Sequence, residues 1–190
     1  MNGVITSVDS IAARLLDLLV DMETLPHLLH GICELAVEAV PDCATASITL
    51  IRPGTPVTAA AFDDRARQID EAQYHDREGP GLRAARLDAD TVVQLDPVPT
   101  DPRIGPGATG DEVRPAGTWR QVGRDHGITA VASMPIPATA DLRAALNLYT
   151  DRAGGWTPSA LSVADALVTY AGDALTVGLR LDPLPAAPAR

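Results

Sequence analysis

The sequence predicts an α+β sandwich, an antiparallel sheet with helices as covering layers. Two patterns point to it. Apolar residues recur with a helical period at both ends of the chain. Between those ends the period falls to two, in paired stretches joined by short turns, which marks hairpins and therefore antiparallel strands. A chain of 190 residues that is 46 % hydrophobic also has the material for one sizeable core.

Taken in order, "SVDSIAARLLDLLVDM" places Ile11, Leu15, Leu18 and Leu19 on one helical face, with Asp9 or Ser10 as cap. A second helix starts in "TLPHLLHGICELAVEAV". Thr24 caps it, Pro26 suits its first turn, and Leu28, Ile32, Leu35 and Ala39 form its apolar stripe. Pro41 and Asp42 end it. In "CATASITLIRPGTPVTAAAF", Ala46, Ile48 and Leu50 alternate with Ser47, Thr49 and Ile51, and "RPGTP" turns the chain into a second strand over 56–62. "DDRARQIDEAQY" reads as a short polar helix, "HDREG" as loop, and residues from about Pro80 to Leu87 as another short helix.

"TVVQLD" is a short strand. Residues 96–117, with Pro97, Pro99, Pro102, Pro106 and Pro115 among four glycines, form a long irregular loop. "TWRQVGRDHG" is a short helix stopped at Gly127. "ITAVASMPIP" and "LRAALNLYT" make the second hairpin. Ile128, Ala130, Ala132, Met134 and Ile136 are assigned to one face of its first strand, and Leu142, Ala144, Leu146 and Leu148 to one face of its second. The last helix is capped by Thr157 and lined by Leu161, Ala164, Leu167, Val168 and Leu175. The expected organisation is one domain over 1–181 and a Pro/Ala-rich disordered tail over 182–190.

Composition excludes several classes. The net charge is −10, and all fifteen basic residues are arginine. An acidic chain without a basic run makes few phosphate contacts, and aromatics at 3 % offer little stacking surface, so direct nucleic-acid binding is not expected. The apolar runs are broken by Asp, Arg or Pro, and the N-terminus lacks a secretory pattern. A cytoplasmic protein with no membrane contact is the expectation. Cys33 and Cys43 form neither a metal motif nor a redox pair, and read as small buried hydrophobes.

The non-aliphatic strand face carries Ser47, Thr49, Val131, Ser133, Asn147 and Tyr149. It is polar and nearly uncharged, unlike a face open to water. Something should cover it, and residues 64–127 are the material at hand. A semi-polar floor under a lid is how small-molecule pockets are built.

Five stretches, in order, resemble the GAF domain, a sensor module of PAS-like architecture. They are "VPDCATASITLI", "IDEAQYHDREGPGLRAAR", "HGITAVASMPIP", "ALNLYT" and "WTPSALSVADALVTYAGDALTVGL". The pattern is similar to GAF domains of actinobacterial GAF/ANTAR-type regulators, with the RNA-binding ANTAR part absent from this sequence. The family's loop typically reads QYxxGEGPC. Gln73, Tyr74, Glu78, Gly79 and Pro80 match it, while Arg77 replaces the first glycine and Gly81 the cysteine. The resemblance implies an antiparallel sheet with the terminal helices on one face and a loop-covered pocket on the other.

The expected ligand-binding residues are Ser47, Thr49, Tyr74, Glu78, Trp119, Ser133, Asn147 and Tyr149. His75, Asp76 and Glu78 lack a nearby nucleophile and read as a solvated loop. His27, His30 and Glu34 share a helix side but lack a fourth ligand. Asp96, Asp101 and Arg103 read as surface charges. No metal, haem or iron–sulfur cluster is expected. The expected function is a sensory, small-molecule-binding domain in a signalling or transcription-regulation pathway, homodimeric through its terminal helices and not an enzyme. The alternatives are a ligand-free dimerisation module and, disfavoured because its cysteines lie outside the loop, an enzyme resembling free methionine sulfoxide reductase.

Overall fold

The computed structural model describes residues 8–52, 55–87, 91–95, 118–139 and 142–183. The long Pro/Gly segment over 96–117 and residues 184–190 of the expected tail lie outside the described residues. The elements are α1 (Val8–Val20), α2 (Leu25–Ala39), β1 (Thr45–Arg52), β2 (Thr55–Ala61), α3 (Asp64–Asp76), α4 (Pro80–Leu87), β3 (Thr91–Gln94), α5 (Thr118–Asp125), β4 (Ala130–Thr139), β5 (Leu142–Thr150) and α6 (Pro158–Leu181). The strands form one five-stranded sheet in the order β2-β1-β5-β4-β3. Its hydrogen-bonded neighbours are all antiparallel. The two hairpins therefore meet along β1 and β5, which makes β5 the central strand.

The aliphatic face of the sheet carries the main core. Ala46, Ile48 and Leu50 of β1, Ala132 and Met134 of β4, and Leu146 and Leu148 of β5 pack with Leu28 and Ile32 of α2 and Leu167 and Leu175 of α6. Helix α1 lies against α2 and α6 and adds Ile11 and Leu15. Three helix starts follow the capping rule: the Thr24 hydroxyl accepts from His27 N–H, the Asp63 carboxylate from Ala66 N–H, and the Thr157 hydroxyl from Ala160 N–H. Asp182, which composition alone groups with the tail, is tied into the domain. Its carboxylate accepts from Leu25 N–H at 2.7 Å, joining the end of α6 to the start of α2.

Helix α6 has the length and apolarity to cross a membrane, by composition alone. Here its apolar stripe is spent against the sheet and α2, with Ala160, Ala164, Leu167, Ala171 and Leu175 fully buried or nearly so.

A second core lies on the opposite face. Ile69 and Ala66 of α3 meet Trp119 of α5, Val131 of β4, Tyr149 of β5 and Ile128. Ile128 departs from its expected face. The strand begins only at Ala130, so Ile128 sits in the turn after Gly127 (φ +74°) and points to the second core. The cover on this face is helical where it is described, in α3, α4 and α5. Helix α3 also runs further than the apolar pattern suggests, through His75 and Asp76, because polar residues extend a helix without leaving a periodic signal.

Candidate functional site

Asn147 is the centre of the second face. Strand register sets Ser47 of β1 opposite it on one side and Ser133 of β4 on the other. The Ser133 hydroxyl donates to Asn147 Oδ1 at 2.8 Å. Asn147 Nδ2 faces Thr49 Oγ1 at 2.9 Å, Ser47 Oγ at 3.1 Å and Asp70 Oδ1 at 3.2 Å. With Tyr149, these polar side chains are fully buried. They face α3, α4 and α5 rather than the terminal helices.

Asp70 is the residue the sequence reading missed. It is fully buried on α3 and receives Tyr149 Oη at 2.5 Å, Asn147 Nδ2, and Thr58 Oγ1 at 3.0 Å. Burial pushes its carboxyl up to about 6, against the pull of the Tyr149, Ser47 and Thr58 hydroxyls and of Arg67. Burial likewise raises both phenols, Tyr74 and Tyr149, and the Asp70 charge raises them further. Tyr74 Oη lies 2.9 Å from Thr49 Oγ1 and 3.0 Å from Thr58 Oγ1. A signal for Asp70 did exist. It shares a helical stripe with Ala66, Ile69 and Gln73, all buried, so it is a carboxylate on the inward side of an otherwise polar helix.

The stretch "YHDREGPG" forms the corner between α3 and α4. Arg77 takes the left-handed conformation (φ 55°), and its N–H bonds the carbonyls of Gln73 and Tyr74. Gly79 adopts φ +150°, and a Cβ there would lie 2.2 Å from Gln73 Oε1. Gly81 N–H donates to the same oxygen at 3.0 Å. A Cβ on Gly81 would lie 2.6 Å from Asn147 Oδ1. The cysteine that the resemblance places at this position has no room while Asn147 holds its network. Glu78 and His75 are exposed at the corner. Asp76 is not loop but helix, and its carboxylate accepts Trp119 N–H at 3.0 Å, anchoring the start of α5.

The structure thus brings together Ser47, Thr49, Tyr74, Ser133, Asn147 and Tyr149 of the expected set, through one hydrogen-bond network. Trp119 stands beside it in the second core, and Glu78 stays outside on the surface. Among the described residues, three buried donors have no hydrogen-bond partner: Gln73 Nε2 and Trp119 Nε1 on this face, and Trp156 Nε1 by the main core.

Both cysteines are buried and free. Burial pushes the Cys43 thiol up to about 12 and the Cys33 thiol further, so neither is poised as a thiolate. His30 pairs with Glu34 at 3.6 Å on an exposed side of α2. Among the described residues no cluster of three or more His, Cys, Asp or Glu could hold a metal ion. Asp96, Asp101 and Arg103 lie outside the described residues.

No family model matches the sequence, and no curated protein is significantly similar to it. Solved structures do share its architecture. The phycoerythrobilin-bound GAF domain of a cyanobacterial phytochrome matches with a TM-score of 0.59 at 11 % identity, over 94 % of this chain and 98 % of that one. The chain has the GAF-domain fold. An N-acylhomoserine lactone-dependent LuxR-family transcription factor from Burkholderia cenocepacia matches with a TM-score of 0.62 at 14 % identity, over 91 % and 98 %. The reduced form of fRMsr, the free methionine sulfoxide reductase of Staphylococcus aureus, matches with a TM-score of 0.57 at 12 % identity, over 92 % and 99 %. That last likeness overturns the expectation of a non-enzyme. The GAF fold carries catalysis in that protein, so having the fold does not set enzyme activity aside.

Proposed function

We propose that this chain is a sensory domain that binds a small molecule above the second face of its sheet. One observation carries the reading most directly. Gln73 Nε2 and Trp119 Nε1 are buried donors without partners among the described residues, on the side that α3 and α5 cover. Such donors cost free energy unless an acceptor reaches them, and a bound ligand with carbonyl or carboxylate oxygens supplies one. In this reading Tyr74, Trp119 and Gln73 meet the ligand, with Glu78 at the rim. Ser47, Thr49, Ser133, Asn147 and Tyr149 form the floor.

The bilin-bound phytochrome domain supports the same reading by analogy. The sequence resemblance to GAF domains of actinobacterial GAF/ANTAR-type regulators supports a place in a cytoplasmic transcription-regulation pathway. Thermal-shift measurement against a panel of keto acids, cyclic nucleotides and linear tetrapyrroles tests it. A true ligand at about 100 times its Kd adds about 2.7 kcal/mol and raises Tm by about 5–10 °C. The rise disappears in Trp119→Phe combined with Gln73→Leu. A panel that leaves Tm unmoved, or a rise that survives the double variant, argues against this site.

Dimerisation through the terminal helices belongs to the same proposal. Leu16 (61 % exposed) and Val20 (75 %) of α1 and Val177 (41 %) and Leu181 (65 %) of α6 remain open to water. A groove of about 150 Å³ between the two helices is lined by Leu15, Leu16, Leu19, Tyr170 and Val177, among others. A second copy related by a two-fold axis buries this apolar strip against its own equivalent. Sedimentation at micromolar concentration should give one species at twice the 19.9 kDa chain mass, and Leu16→Glu with Val177→Glu should halve it. A wild-type species at the chain mass refutes the dimer.

A further inference from the structure

We propose that Asp70 is a proton-binding latch. Its carboxyl gains and loses a proton while the domain stays folded, and the sense of the Thr58–Tyr74–Thr49 hydrogen-bond chain turns with it. The geometry of the ring carries the argument. With Asp70 ionised, the donors run in one direction. Asn147 Nδ2 donates to Thr49, Thr49 to Tyr74, Tyr74 to Thr58, and Thr58 to Asp70 Oδ2, over distances of 2.9, 2.9, 3.0 and 3.0 Å. Tyr149 Oη closes on Oδ1. Each hydroxyl in that ring both donates and accepts, so the ring is built around a carboxylate.

The same carboxylate is fully buried, and its hydrogen-bond partners are neutral. The charged and titratable groups bearing on it are few. Arg67, Glu71 and Tyr74 share its helix, Tyr149 comes from β5, and Cys33 of α2 feels its charge. The strands β1 and β2 offer only hydroxyls. Arg67 is exposed and acts from a distance. Donors favour the ionised form and burial the neutral one, and the balance falls at about 6.

When a proton from solvent settles on Oδ2, that oxygen becomes a donor to Thr58. Thr58 then donates to Tyr74, and Tyr74 to Thr49. Thr49 still receives Asn147 Nδ2, so its own proton loses its place in the ring. The protonated ring keeps the same four contacts, three of them reversed in sense, and the Thr49 proton is the one left over. Tyr74 sits one turn before the Arg77–Gly79 corner, so the proton state reaches the segment that joins α3 to α4.

The decisive measurement is a carboxyl 13C titration of the full chain labelled at aspartate. One aspartate should titrate at about pH 6, apart from the others, and Asp70→Asn should remove that signal. Tyr149→Phe deletes a donor to the ionised form and should move the midpoint up by about 1–2 pH units. The sign in stability follows from the raised folded-state value. The contribution of Asp70 is present below about pH 4 and is lost as pH rises through about 6, so wild type loses urea stability relative to Asp70→Asn over that span. If Asp70→Asn does not fold, the wild-type and Tyr149→Phe titrations decide alone. A spectrum in which every aspartate titrates below pH 5, or a midpoint that Tyr149→Phe leaves in place, overturns the latch.

Discussion

Asn147→Ala lowers the unfolding free energy by about 3–5 kcal/mol, because one side chain serves three elements at once. Its amide bridges Ser133 of β4 to Ser47 and Thr49 of β1, and reaches Asp70 of α3. Truncation leaves a buried hydroxyl without its acceptor and a buried carboxylate short of one donor. Each orphaned group costs about 1–3 kcal/mol, and the costs overlap because the groups share a network. Water cannot offset the loss easily, since Gly81 and α4 close over the amide. Urea unfolding by circular dichroism gives the number. Asn147→Asp is a harsher control, because it sets a second carboxylate beside Asp70 and should unfold more as pH rises. A loss below about 1 kcal/mol for Asn147→Ala would mean that solvent enters the network freely.

Much of this arrangement was readable from residue order. Thr24 and Thr157 cap their helices because a threonine before an apolar stripe with proline in the first turn has few other uses. The alternation along 142–150 put Leu146 and Leu148 on the aliphatic face and Asn147 and Tyr149 on the other. What could not be read was the identity of the partners. Periodicity fixes which way a side chain points from its own element, but not what stands opposite. Asp70 escapes a local reading because a charge on a polar helix looks solvated until α3 is laid on β1 and β2. Glu78 was included because it lies in a matching motif, yet the left-handed Arg77 swings it outward. Ile128 departs from the face that alternation assigns it because the strand starts two residues later, at Ala130, and the period of two does not hold in the turn before it. The fit of Gly81 against Asn147 joins positions 66 residues apart, beyond the reach of any local pattern.

Gly172→Val should cost about 3 kcal/mol or more, despite valine's better helix propensity. Gly172 lies in the middle of α6, where that helix crosses β4. A Cβ at this position would stand 2.6 Å from the carbonyl oxygen of Pro137, with the proline ring at 3.0 and 3.1 Å. The obstacle is backbone, and it is held in place. Pro137 lies where the β4–β5 register slips between Ile136 and Thr139, an irregularity that suits a residue with no N–H to donate. Moving it means shifting the strand that contributes Met134 and Ile136 to the main core. Gly178, two turns later on the same helix, provides the contrast. A Cβ there would come 2.6 Å from Leu28 Cδ2, a methyl at the end of a side chain that can rotate. Gly178→Ala should therefore stay within about 1 kcal/mol of wild type, since helix propensity recovers about as much as the leucine gives up. Gly172→Ala should fall between the two, its gain in propensity outweighed by the clash. Thermal and urea unfolding of the three variants rank them. If Gly172→Ala proves as stable as Gly178→Ala, α6 and β4 are not in the close contact described, and the seating of the last helix on the sheet has to be redrawn.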